Sequence, residues 1–131
     1  MTIKSNILGR LIGKDNSGRI LVRVDHRVMP EFGELWIVDD DAQEACYFAR
    51  VIDTMYAADP KEASDYAKTM LDNPEMSLDE TDREFLGYNL ALVDLLGIVR
   101  GEQIDDYYRI PSILSIIRTP TNEEFEAVVK Y

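Results

Sequence analysis

The residues best equipped for chemistry form one short run, Asp105, Asp106, Tyr107, Tyr108 and Arg109. Two carboxylates beside phenols and a guanidinium could divide general-acid and general-base roles, provided a cleft drives their proton affinities apart. Acidic and aromatic loop residues before a proline, here Pro111, also serve interfaces. The run therefore reads first as a candidate interaction loop and second as the site of an acid/base hydrolase. The remaining repertoire is thin. His26, the sole histidine, sits between Asp25 and Arg27 and reads as a surface residue. Cys46, the sole cysteine, lies in the apolar run EACYFARV and reads as a buried structural thiol. These two counts rule out an intrachain disulfide, His-rich metal sites and zinc-ribbon spacing. Asp39 to Asp41 place three carboxylates in a row without the alternating oxygen spacing of a calcium loop, so they read as an acidic hairpin turn closing a strand. GRLIGK, residues 9–14, has glycines and a lysine but neither the G-x-x-x-x-G-K-[ST] spacing nor a following helix. No catalytic residue, cofactor or metal is expected within the chain.

Charge bounds the partners. The 131 residues carry 14 Lys plus Arg against 25 Asp plus Glu, a net charge of -11. Such a field repels nucleic acid at long range, although Arg10, Arg19, Arg23 and Arg27 cluster in sequence and could build a local basic groove. Tyr56, Tyr66, Tyr88, Tyr107 and Tyr108 could stack bases, but basic residues do not interleave them. Hydrophobic residues make up 46% and charged residues 30%, the balance of a globular domain with one core rather than a disordered chain. No apolar run approaches the ~20 residues of a membrane span, and no signal-peptide core opens the chain, so a cytoplasmic setting is expected.

The elements that must position these residues are mostly strands. Ile20, Val22 and Val24 alternate with Arg19, Arg23 and Asp25, a period of two that suits a half-buried antiparallel strand. Lys14 to Gly18 make a turn, and the preceding NILGRLIG forms the hairpin partner, its Gly9 and Gly13 marking bends or close backbone approach. Leu35 to Val38, ACYFARVIDTMY, YNLALVDLLGIVRG and SILSIIRTP supply further strands, with EQIDDYYRIPS as a loop between the last two. Residues of about 59–87 switch to helical spacing. Asp59 and Glu62, then Ser77 and Glu80, form capping boxes around a helical hairpin, with Pro74 and Gly87 as stops. Thr121 and Glu124 make a third box, opening a short C-terminal helix. The expected fold is mainly β: a small six-stranded antiparallel barrel with a helical insert and a short C-terminal helix, one domain over 1–131.

ILGRLIGKDNSGRILVRVD, FGELWIV, YFARVIDTMY, YNLALVDLLGIVRG and RIPSILSIIRTPTNEEF occur in the order of the strands of a known module. The chain resembles the HAS-barrel, shared by HerA-type ATPases and the N-terminal domains of ATP synthase subunits. It departs from that pattern at Ser112-Ile113, where Pro-rich text and a glycine are usual. The resemblance implies a non-catalytic barrel at the N-terminus of a hexameric DNA translocase. It would assist subunit assembly and dock a partner such as a nuclease, while ATP and magnesium belong to a motor domain beyond Tyr131. Assembly is expected through apolar strand edges and the helical insert. The alternative is an OB-like barrel that binds nucleic acid directly.

Overall fold

A computed structural model describes residues 7–56, 60–77, 89–107 and 109–130. Its strands are β1 (Ile7–Lys14), β2 (Ile20–Val24), β3 (Leu35–Asp40), β4 (Ala45–Tyr56), β5 (Asn89–Arg100), β6 (Gln103–Asp105) and β7 (Ile116–Arg118), with helices α1 (Pro60–Asp72) and α2 (Asn122–Lys130). The sheet runs β2-β1-β7-β3-β4-β5-β6, and β2 also pairs with β5. That extra pairing closes six strands into an antiparallel barrel and leaves β6 as an appendage on β5. Each strand of the ring has a neighbour on both sides, so among the described strands only the short β6 keeps a free edge.

Alternation builds two cores. Ile20, Val22, Trp36, Val38, Tyr47, Ala49, Val51, Ala91, Val93 and Ile117 point inward and fill the barrel. Ile37 and Phe48 point outward and are covered by Ile104 of β6 and Val128 of α2. A side-chain period of two thus gives β3 and β4 apolar residues on both faces, and the outer face needs α2 and β6 as a lid.

Bulges let so small a ring close. The register of β4 on β5 shifts twice, and that of β1 on β2 shifts between Leu11 and Gly13, leaving Ile12 unpaired on the outside. Gly9 is the close-approach glycine: a Cβ there would stand 2.3 Å from the Arg23 carbonyl oxygen. The β1–β2 turn is tied by Asp15, whose carboxylate accepts from the Ser17 and Arg19 backbone N–H groups at 2.9 and 3.0 Å, with Gly18 at φ +87°.

Several expectations are corrected. EQIDDYYRIPS is not all loop, since Gln103–Asp105 pairs with β5 as β6. Asp39 lies within β3 and Asp40 is its last residue, so of the acidic run only Asp41 falls in the turn, which is Asp41 to Glu44, with Glu44 at φ +52°. The last strand is only Ile116–Arg118, because the chain before it folds into a turn in which the Ser115 N–H donates to the Ser112 carbonyl. Within the helical insert only α1 and the turn after it are described. Its Asp59 cap and the second capping box with Glu80 and Gly87 lie outside the described residues. No helix among the described residues is long and apolar enough to cross a membrane.

Candidate functional site

The run singled out from sequence divides in three dimensions. Asp105 ends β6 and forms an exposed ion pair with Arg100, Nε to Oδ2 3.5 Å. Asp106, Tyr107 and Arg109 line a shallow cleft of about 220 Å³ together with Gln43, Tyr47 and Arg100. The Tyr107 ring stands edge-on to Tyr47, centroids 6.3 Å apart and planes at 76°. Tyr108 lies outside the described residues. Asp105 is thus drawn to a cation on the neighbouring strand while Asp106 faces the cleft, and the aromatic contact anchors the loop to the barrel end. Among the described residues no group of three His, Cys, Asp or Glu stands together as a metal site.

The better-built feature is the following turn, 110–115. Asp40, buried at the end of β3, accepts from the Ser112 N–H at 2.8 Å and the Ser112 hydroxyl at 2.9 Å. Gln43 donates to the same carboxylate and to the Ile110 carbonyl at 3.2 Å. Burial works against the Asp40 charge, but the Ser112 and Gln43 donors outweigh it and hold the carboxyl below its ordinary range. On the other side β1 grips the turn. The Leu114 N–H donates to the Leu11 carbonyl at 2.7 Å, and Arg10 Nη1 donates to the Leu114 carbonyl at 3.0 Å.

A turn held from both sides displays apolar side chains. Ile113 is 62% exposed and Leu114 55%, with Ile110 and Ile12 also exposed. Leu114 has φ +67°, the left-handed region that costs a branched L-residue about 1–2 kcal/mol. The backbone therefore carries strain at the residue that projects an aliphatic side chain into solvent. Nothing in a one-dimensional reading marks this position except the departure from the resembled pattern at Ser112-Ile113.

Leu114 also walls an open groove of about 580 Å³ on the outside of β1 and β2. Ile7 and Ile12 join Leu114 in giving it an apolar surface, and Arg10 and Arg23 give it charge. Of the four arginines clustered in sequence, two thus meet at one site, as direct register partners across the hairpin. Asp25 and His26 close one end. Arg27 donates to Asp25 through its side chain, Nη2 to Oδ2 3.1 Å, and through its backbone N–H at 2.9 Å, holding the Asp25 carboxyl down at about 2. No Phe, Tyr or Trp lines the groove, and its one ring is the His26 imidazole at the end, so it offers successive bases no stacking platform.

A third cluster fastens α2. Arg118 of β7 donates from Nη1 and Nη2 to Glu124 at 2.6 and 2.7 Å, and also binds Asp39. Glu124 and Thr121 complete the expected capping box: the Glu124 N–H donates to Thr121 Oγ1 at 3.2 Å, and the Thr121 N–H to Glu124 Oε1 at 2.9 Å. Burial opposes the Glu124 charge, yet Arg118 and the cap hold its carboxyl down at about 2. Cys46 is half-buried beside this cluster, and burial plus the Asp39 and Glu124 charges push its thiol well above the usual range. It is a quiet, structural thiol.

The chain matches no protein-family model, and a search of the curated proteins finds no relative.

Proposed function

We propose that this barrel is a non-catalytic assembly and docking module, acting as the N-terminal collar of a HerA-like DNA-translocating ATPase in the cytoplasm. The observation that carries the docking role is the clamped, strained turn presenting Ile113 and Leu114 to solvent. Strain retained at an exposed apolar residue is accounted for by a partner that covers it. The barrel interior is occupied by Trp36, Tyr47 and aliphatic residues, so the work falls to the outer surface. The resemblance supplies the finer reading: copies of the chain around a ring, a partner nuclease on the collar, and ATP with magnesium on a motor domain beyond Tyr131.

Sedimentation velocity on the 131-residue chain over a range of concentrations, alone and joined to the segment that follows it, tests the reading. Concentration-dependent association supports it, and a strict monomer in both forms overturns it. Anisotropy of a labelled single-stranded oligonucleotide at low salt tests the OB-like alternative. The acidic field and the aliphatic groove predict no binding.

A further inference from the structure

The 110–115 turn stands between two charges of opposite sign. Ile116, which follows it, pairs with Arg10 of β1 on one side and with Asp39 of β3 on the other. The turn therefore lies between β1 and the end of β3. On the β1 side Arg10 Nη1 donates to the Leu114 carbonyl, so the guanidinium sits level with Leu114. Arg10 makes no ion pair among the described residues.

On the β3 side the three aspartates differ. Asp39 is bound by Arg118, and Asp40 is buried and bonded to Ser112 and Gln43. Asp41, the next residue, is exposed, and its carboxylate has no partner among the described residues. Antiparallel register carries it to the level of Leu114 as well, since Asp39 stands opposite Ile116. Arg10, Asp41, Ile113 and Leu114 line one cleft of about 200 Å³. Between the two charges the surface is aliphatic, with Ile113 and Leu114 exposed.

Such a surface is complementary to itself. A two-fold axis along β7 lays the aliphatic ridge of one copy on that of another and exchanges left for right, so each Arg10 faces the other copy's Asp41. A wholly acidic partner would meet Asp41, and a wholly basic one would meet Arg10. Only a surface with both signs in reversed order satisfies both sides, and a second copy presents that order.

We propose that the partner covering the turn is a second copy of this chain. Two turns meet about a two-fold axis, with Ile113 and Leu114 at the centre and two reciprocal Arg10–Asp41 pairs at the sides. This deepens the assembly and docking reading and rests on it. The two pairs and the apolar centre work against the repulsion between copies that each carry a net charge of -11. The contact is isologous and closes at two copies, so any ring would use other surfaces in addition.

A charge swap followed by sedimentation velocity tests this. Arg10→Glu and Asp41→Arg each set like charges together at both pairs, and each alone should associate at least ~10-fold more weakly than the wild type. An equimolar mixture of the two should form a one-to-one dimer of near wild-type strength, because opposite charges then meet at both pairs. The double variant Arg10→Glu/Asp41→Arg should likewise recover self-association. If the wild type associates and neither single variant weakens it, or if neither the mixture nor the double variant recovers it, this inference fails while the assembly reading stands. A wild type that is monomeric alone and associates only when joined to the segment that follows it also overturns this inference alone. A monomer in both forms overturns both. Thermal melts confirm folding. Should Arg10→Glu fail to fold, Asp41→Arg and Ile113→Ser carry the test: both must weaken association, and either one at wild-type strength overturns the inference.

Discussion

Arg118 and Glu124 meet through two hydrogen bonds of 2.6 and 2.7 Å, joining the last barrel strand to the first turn of α2. The same Glu124 carboxylate closes the helix cap on Thr121. One side chain thus starts the helix and fastens it to the barrel.

Acid should loosen that joint. The Glu124 carboxyl lies at about 2 in the fold against an ordinary 4.5, so its contribution is fully present above about 4.5 and disappears as pH falls toward 2. Asp25, at about 2, and Asp40, shifted in the same direction, act in the same window. Glu124→Gln should lower stability at neutral pH by about 2 kcal/mol and flatten the dependence below pH 5. Urea denaturation at a series of pH values reads both effects. An unchanged slope in the variant contradicts the assignment.

Leu114→Gly should stabilise the fold and impair its use. Relief of the left-handed strain is worth about 1 kcal/mol, a rise of about 3 °C in the melting midpoint, because glycine adopts φ +67° without penalty. Removing the isobutyl group should weaken association in the same preparation. Calorimetry and sedimentation on one sample separate the two effects, and a fall in stability would show that Leu114 is held there by packing instead.

Asp40→Ala should release the 110–115 turn. It removes the acceptor of both Ser112 bonds and costs about 2 kcal/mol, because the Ser112 N–H loses its partner. Hydrogen exchange followed by mass spectrometry should show faster exchange at Ser112 to Ser115, with little change at the Asp15 turn on the far side of β1.

Gly9→Ala should disrupt the β1–β2 pair. The added methyl would meet the Arg23 carbonyl oxygen at 2.3 Å, and a backbone carbonyl in a ladder cannot swing aside. A cost of about 3 kcal/mol is expected. Gly13→Ala, where a Cβ meets nothing within 4 Å, is the control and should cost far less.

Local spacing carried much of the fold. Alternation in Ile20, Val22 and Val24 assigned faces, because a strand turns successive side chains to opposite sides whatever surrounds it. The Thr121 and Glu124 box was legible for a similar reason: capping joins residues three apart. The candidate site was harder to read. Asp105 to Arg109 attracted notice by composition, yet the structure pairs Asp105 with Arg100 and sets Tyr107 against Tyr47, both reached through the β5–β6 turn or across the barrel end.

What the sequence by itself determined is the six strands of the ring but not β6, the turn chemistry at Asp15 and Gly18, the cap of α2 and an acidic composition without a phosphate loop. Only the tertiary structure decided that β2 pairs with β5 to close the ring and that Asp40 turns inward to hold a serine 72 residues away. It alone also gave Leu114 a left-handed backbone beneath an arginine 104 residues distant. The physical reason is range. Propensity, alternation and capping act between neighbours, whereas closure and register depend on which distant surfaces bury each other best, and that energy exists only once the barrel has formed.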